Sequence, residues 1–419
     1  MRPIYEFIAR LSPAVLVLTC GCAQRQPTAF FEGDSLAGWS QHGGKAGFAI
    51  KGGEVVGYTA ADSPNTFLCS DAHYADFELE YEFKVDPRLN SGVQIRSNRF
   101  PGYAGGVVHG YQVEIDPSDR AFTAGIYDEE RRGWLARPPQ SDAERRSLFK
   151  RGDWNHVRVV AQGDLVRTWL NGKPVVELRD AMTRRGFVAL QVHSTDSKEP
   201  LEVRWRNIKF KDLGDSNDEL RRKAKVLLGG EADVAEWTRL DKPGEPIAWK
   251  WIDGALEVTP GSGNIVTRDA FGDCRIHIEF AVDDNGKAGQ ANGNSGVYVQ
   301  QRYEVQILNS AAAAATDDNC GAIYKVKPAD FNCALPAGEW QTYDIEFRAA
   351  RWNDKGEKTA NARMRVWHNG TRIHDNVELP KQTGAGQPEG PGDGPLMLQD
   401  HGNRIRFRNV WVAGLRSDE

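Results

Sequence analysis

Cysteine is scarce in this chain of 419 residues, with six in all. Two of them, Cys20 and Cys22, sit at the extreme N-terminal end, which leaves Cys69, Cys274, Cys320 and Cys333. No CxxC, HExxH or other zinc-ligand spacing occurs, and this excludes the commonest structural zinc sites. A basic stripe is missing too. The 53 Lys and Arg are dispersed among 58 Asp and Glu, and the net charge is -5, so a nucleic-acid partner is set aside. No amphipathic helix longer than the charged segment DSNDELRRKAK can be drawn. The apolar run Leu11–Thr19 is too short to span a bilayer.

What the chain has in quantity is glycine (43) and tryptophan (12), with many short runs of Val, Ile, Phe, Tyr and Trp bounded by Gly, Asn, Asp or Pro. That pattern predicts strands and tight turns. It also says nearly the same thing twice. From Asn90 the segments NSGVQIR, YQVEID, AGIY, GDWNHVRV, WLNG, VALQVH and WRNI run in order; from Asn294 they return as NSGVYVQ, YEVQIL, GAIY, GEWQTYDI, WHNG, LMLQDH and FRNV. A repeat of this length marks two copies of a whole domain, over residues 28–214 and 226–415, with 215–225 as a charged linker compatible with a short exposed helix. Asn171-Gly172, Asn369-Gly370, Gly52-Gly53 and Asp253-Gly254 predict hairpin turns. Many short strands without long helices predict an all-β chain of two tandem jelly-roll β-sandwiches.

The N-terminus reads as a secretory signal over residues 1–22. Arg2 and Arg10 precede the apolar run, and the run ends in Thr19, Cys20, Gly21 and Cys22 before a polar stretch, which resembles a bacterial lipoprotein signal with Cys22 lipidated. Export to the periplasm or cell surface, held on the membrane by an acyl anchor, is the expectation. An oxidising compartment would permit a disulfide between Cys320 and Cys333. Cys274 is expected as a small buried hydrophobe.

Strand alternation locates a candidate site. In YQVEID, Gln112, Glu114 and Asp116 share one face; in YEVQIL, Glu304 and Gln306 do. The neighbouring segments add Asn90, Gln94 and Arg96 in the first copy, and Asn294, Tyr298 and Gln300 in the second. The last motif gives Gln191 and His193, or Gln399 and His401. Amides, carboxylates, imidazole and phenol on one face suit a hydroxyl-rich ligand, with Gly92 or Gly296 leaving it room. An antiparallel sheet normally has one wet side, so the alternation alone is equally that of an ordinary surface. Trp154 and Trp340 are expected as packing aromatics, and Arg206-Asn207 and Arg408-Asn409 as pins at each domain end.

The ordered set NSG, YEVQIL, GAIY, GEW, HNG, LQDHG and FRN resembles the 3-keto-disaccharide hydrolase family, with its concanavalin-like jelly roll. The resemblance covers both copies. The second matches better: the first exchanges acid and amide, with Gln112 and Glu114 for Glu304 and Gln306, and reads QVHS for LQDH. What the family implies is cleavage of glycosides oxidised to a ketone at C3. The carbonyl acidifies the C2 hydrogen, a base removes it, the enediolate expels the C1 oxygen, and water can then add back. In the second copy Glu304 and His401 are the expected acid/base pair, with Asn294, Tyr298, Gln306 and Gln399 as orienting donors. Asn90, Arg96, Gln112, Glu114, Asp116 and His193 are the expected substrate-binding groups of the first. A divalent metal on His401 and Glu304 would polarise the ketone, although no spacing demands one. Two other readings stand beside this. Glu114, Asp116 and Asp119 have the ExDxxD spacing close to that of laminarinase-like retaining glycosidases, and either copy could be a non-catalytic carbohydrate-binding module.

Overall fold

The computed structural model describes residues 28–415, apart from 32, 34 and 139–145. Alternation in the sequence becomes alternation in burial. Along Asp76–Val85 the residues Phe77, Leu79, Tyr81, Phe83 and Val85 are buried, each aromatic or aliphatic side chain stabilising the sandwich by about 2 kcal/mol. The glutamates between them face outward.

The first copy pairs an eight-stranded sheet with a seven-stranded one. The seven-stranded sheet runs, edge to edge, Gly133–Ala136, Ile126–Glu129, His109–Ile115, Ser91–Asn98, Phe187–Val192, Thr66–Ser70 and Trp39–Gly43. All pairings are antiparallel, and non-consecutive neighbours mark the crossovers of a jelly roll. The second copy repeats the design with eight strands facing five. Its smaller sheet is Trp237–Arg239, Ile265–Phe271, Gly394–Leu398, Ser295–Val299 and Tyr303–Ile307. The outer hairpin of the first copy therefore has no stranded counterpart in the second among the described residues. Each copy encloses its own apolar core.

The Asn-Gly, Asp-Gly and Gly-Gly pairs do turn the chain, both residues of each with positive φ: 47° and 80° at Asn171-Gly172, 50° and 78° at Asn369-Gly370. Between the copies, Ser216–Lys223 is a helix with no buried residue, capped by Asp215, whose side chain accepts the Asn217 N–H. Trp154 and Trp340 lie under guanidinium groups, with Arg206 Cζ and Arg408 Cζ each 3.8 Å from the ring centroid. Those arginines in turn bind Glu82 and Glu279. The pins and packing aromatics are thus one structural device made twice.

The four described cysteines are free, which corrects the disulfide expectation. Cys320 Sγ lies 3.2 Å from the Tyr343 hydroxyl, which itself donates to Gln306 O, so the thiol already has a partner inside the core. Cys22 lies outside the described residues. Among the described residues no helix is long and apolar enough to cross a membrane.

Candidate active site

Directly opposite residues of an antiparallel pair share a face. In the first copy Gly92 stands opposite both Glu114 and Gln191, Gln94 opposite Gln112, and Gln112 opposite Tyr127. Val93, Ile95, Tyr111 and Val113 point into the core from the other side. On the polar side lies a cavity of about 760 Å³, lined by Asn65, Asn90, Gln112, Glu114, Arg120, Tyr127, Glu129, Glu130, Arg131, Gly133, Trp134 and His193. That volume is within the range of small-molecule sites.

A relay of amides organises its floor. Ser97 Oγ donates to Gln94 Oε1 (2.7 Å), Gln94 Nε2 to Gln112 Oε1 (2.7 Å) and Gln112 Nε2 to Glu114 Oε2 (3.0 Å). Asn90 Nδ2 donates to Glu114 Oε1 at 2.7 Å. Both oxygens of Glu114 are fixed in this way, and the two amides oppose the upward pKa shift that burial imposes on it. Gly92 makes the arrangement possible, because a Cβ there would stand 2.5 Å from Gln112 Cδ. The room expected for a ligand at Gly92 is filled by Gln112.

Glu129 is the second carboxylate of the cavity, and the sequence reading missed it. Its Oε1 accepts from Asn65 Nδ2 at 2.9 Å, and Gln191 Nε2 lies 3.5 Å away. Burial raises its pKa, the Asn65 hydrogen bond opposes this, and the charges of Glu130, Glu114 and Asp128 add to the rise, leaving it at about 7. In the second copy the GAIY segment continues as KVK, with Val326 where the first copy has Glu129. A comparison of the copies therefore passes over it. Tyr127 and Trp134, edge to face at 5.2 Å, form an aromatic wall above the cavity, and Phe122 backs Trp134 at 4.8 Å.

Of the expected first-copy residues, Asn90, Gln112, Glu114 and His193 come together around this cavity. Arg96 does not. Its φ of 47° and the register shift after Ile95 turn it inward, where it is fully buried, bonded to Asp76 Oδ1 at 2.8 Å and to the carbonyls of Ala75 and Gly163. Asp116 is also withdrawn: the strand stops at Ile115 ahead of Pro117, and the carboxylate caps Ser118 N and meets Arg120 Nε at 3.1 Å. Asp119 has a side chain 94% exposed and paired with Arg151. The ExDxxD carboxylates thus fail to line one sheet face, which removes the basis of the retaining-glycosidase reading.

In the second copy Tyr298 stands opposite Glu304 and Gly296 opposite Gln306. Burial raises the Glu304 carboxyl to about 7 against a hydrogen bond from Tyr298, and Gln399 Nε2 donates to the same hydroxyl at 3.3 Å. Gln306 Nε2 and Asn294 Oδ1 meet at 3.2 Å. The group is roofed, however. Thr383 Oγ1 accepts the Glu304 N–H, and Gly384 passes so close that a Cβ on it would stand 2.3 Å from Glu304 Oε2. At Gly296 a Cβ would stand 2.4 Å from Oε1, so here too the glycine makes room for a side chain and not for a ligand. His401 does not join Glu304. Its strand ends at Leu398, it is exposed, and the hydrogen bond it makes among the described residues is through its backbone carbonyl, from Asn403. Among the described residues no hydrogen bond or ion pair joins it to the Glu304 carboxylate, whose side-chain partner is Tyr298. No three His, Cys, Asp or Glu side chains gather, among the described residues, as a group that could hold a metal ion.

A family model described as a 3-keto-alpha-glucoside-1,2-lyase-like domain matches residues 26–211 and again 223–413. No curated protein matches the chain. Among solved structures, a protein from Parabacteroides distasonis ATCC 8503, provisionally named a glycosyl hydrolase, is 32% identical, with a TM-score of 0.43; the match covers 46% of this chain and 84% of that one. A second protein of that name and source is 18% identical over 45% of this chain and 94% of its own, with a TM-score of 0.34. The carbohydrate-binding module CBM66 from Bacillus subtilis is 17% identical over 42% of this chain and 96% of its own, with a TM-score of 0.31.

Proposed function

The chain belongs, through both of its copies, to the 3-keto-alpha-glucoside-1,2-lyase-like domain family, and from that premise we propose that it cleaves 3-keto-glycosides in the cavity of its first copy. The observation that carries this is Glu129, a buried carboxyl with a pKa of about 7 on the wall of an open cavity whose floor is amides and an amide-held carboxylate. A base with a pKa near the working pH can both take and return a proton. Glu129 removes the C2 hydrogen as a proton; the C–H pair becomes the C2–C3 double bond of the enediolate. When that pair moves on to form C1=C2, the C1–O bond breaks and the departing oxygen takes the proton back from Glu129. Addition of water across C1=C2 completes hydrolysis, and without it the reaction is that of a lyase.

Glu114, with Asn90 and Gln112, is placed to hold sugar hydroxyls, and Arg120 to face the negative oxygen at C3. No step needs a metal. The second copy, with Glu304 roofed by Gly384, is assigned a supporting role. Export and lipid anchoring at Cys22 remain part of the proposal and are checked by labelling with a fatty acid and by a Cys22→Ala variant.

The deciding experiment incubates the leaderless protein with a 3-keto-glucoside and its unoxidised parent, alongside Glu129→Gln and Glu304→Gln. The expected result is release of aglycone from the ketone alone, lost in Glu129→Gln and kept in Glu304→Gln. Loss in Glu304→Gln only would move the chemistry to the second copy. A second reading, a binding module, is favoured by the Tyr127 and Trp134 wall. Saturable sugar binding without turnover, unchanged in Glu129→Gln, would establish it in place of the enzyme.

A further inference from the structure

The reaction assigned to the first cavity can end in two ways: as the unsaturated ketone left by elimination, or as the free 3-keto sugar once water has added. In the addition C2 has to gain a proton while the water entering at C1 has to lose one. Glu129, which serves C2, is needed there as the donor, so the water needs a base of its own. Most polar groups of the wall are unsuited to that task. Both oxygens of Glu114 already hold amides, and the guanidinium groups of Arg120 and Arg131 have no acceptor to offer. Burial keeps the Tyr127 phenol protonated, and Glu130 is exposed, where a carboxylate is a weak base. His193 is left.

The loop that carries this imidazole is fixed. His193 follows the strand Phe187–Val192 and is half-buried. Its Nδ1 lies 2.8 Å from Ser194 O, and since a carbonyl only accepts, Nδ1 carries the proton. The Ser194 hydroxyl, 3.4 Å from the same nitrogen, is the weaker contact. Nε2 is then the nitrogen with the lone pair, and no hydrogen bond reaches it among the described residues. Ser194 gives its own N–H to Asn65 Oδ1 at 2.9 Å, and Asn65 Nδ2 is the donor to Glu129 Oε1, also at 2.9 Å. One asparagine therefore ties the loop of the imidazole to the carboxyl group. The second copy has no such tie among the described residues. There Asn264 Oδ1 accepts the Asp400 N–H at 2.9 Å, but its Nδ2 faces Met397 Sδ at 3.7 Å in place of a carboxylate.

We propose that His193 is the base that activates the entering water, and that it makes the first copy a hydrolase instead of a lyase. This rests on the reading of that cavity as the site of elimination. As Nε2 takes a proton from water, the oxygen lone pair forms the C1–O bond, the C1=C2 pair moves to C2–C3, and the carbonyl pair settles on the C3 oxygen. The imidazolium passes its proton through cavity water to Glu129, and C2 takes it from there as the enediolate returns to the ketone. One water is consumed, and both residues end in the protonation state in which they began.

The test uses the full leaderless chain with two substrates, a 3-keto-glucoside and the preformed 2-hydroxy enone that elimination would give from it. Wild type is compared with His193→Gln and with His193→Ala, the latter with and without imidazole in solution. Wild type is expected to hydrate the enone to 3-keto-glucose. In His193→Gln, release of aglycone is expected to stay within about threefold of wild type, which also shows that the variant folds, while hydration slows about a hundredfold and the enone accumulates. Added imidazole is expected to restore hydration in His193→Ala, which a merely structural role would not allow. No hydration by wild type, hydration unchanged in His193→Gln, or aglycone release lost to the same extent as hydration would overturn the role of His193. A wild type that hydrates the enone through His193 but cleaves no glycoside would keep that role and refute the assignment of elimination to this cavity instead.

Discussion

A carboxyl group withdrawn from water favours its neutral form, and Glu129 holds its proton to about pH 7 against an ordinary value of 4.5. The folded chain binds that proton more tightly than the unfolded one. The stabilisation is therefore complete below pH 4.5 and is lost as pH rises through 7. Glu129→Gln keeps an oxygen for the Asn65 amide and removes the cost of burying a charge. It is expected to melt higher than wild type at pH 8, by about 1–3 kcal/mol of stability, and close to wild type at pH 4; thermal melts at the two pH values check this. The same variant is expected to lose cleavage, and wild-type kcat/KM to rise with pH through about 7. A gain in stability without loss of activity would make Glu129 a structural group. Arg96 has the opposite character. Its guanidinium is wholly buried on Asp76, so Arg96→Ala strands a carboxylate and is expected to cost about 3–5 kcal/mol, read from the denaturation midpoint, with no change in the substrates accepted by whatever folds.

At the scale of elements, the hairpin Ile126–Glu129 and Gly133–Ala136 distinguishes the copies, because it brings Tyr127, Glu129 and Trp134 over the face. Its tip is held by Tyr103, whose hydroxyl donates to Glu130 O at 2.6 Å, and by Arg131 on Asp128. In the second copy the matching segment forms no named strand; it is held by the bridges Val305 to Ile323 and Ile323 to Lys327 and by backbone bonds to Glu304 and Gln306. Strand alternation and the Asn-Gly turns were legible from sequence because both depend on a few adjacent residues. The floor of the site, Asn90, Gln112 and Glu114, was legible for the same reason. Glu129, Asn65 and Trp134 reach the cavity through sheet order, which no local period encodes. Arg96 was misread because a bulge breaks the period on which its assignment depended. Gly92 gives the test at this scale: in Gly92→Ala the new Cβ meets Gln112, so the amide relay to Glu114 shifts, at a cost of about 1–3 kcal/mol. Substrate KM is expected to rise more than kcat falls; an unchanged KM would mean that the relay is ornamental to binding.

At the scale of the whole molecule the two copies are joined backbone to backbone. Thr183 bridges to Thr371, Arg184 N donates to Gly370 O (2.8 Å), and Arg372 N to Met182 O (2.7 Å). Trp367 Nε1 donates to Ala181 O, and the Arg184 guanidinium lies 3.5 Å from its ring centroid. Thr183 also takes Arg131 Nη1 at 2.8 Å, so the hairpin that carries Glu129 is braced through this strap by the second copy. Nearby, His277 Nδ1 meets Asp344 at 3.0 Å, and Asn217 of the linker helix donates to the same carboxylate. Burial opposes the charge on His277, but Asp344 and Glu279 outweigh it and raise the imidazole to about 9, while Asp344 is held at about 2. For His277 the stabilisation is complete below pH 6.5 and lost as pH rises through 9; for Asp344 it is present above the ordinary carboxylate range and lost as pH falls through 2. Both groups lie on neighbouring strands of the second copy, so calorimetry is expected to show one cooperative transition at pH 6 and, at pH 10, a second-copy transition that falls in temperature and partly resolves from that of the first. Trp367→Ala, which removes the strap's stacking partner, is expected to separate the transitions already at pH 6 and to lower activity without touching the cavity. Two resolved transitions in the wild type at pH 6 would mean that the copies are independent, and the second would then have no means of bracing the site of the first.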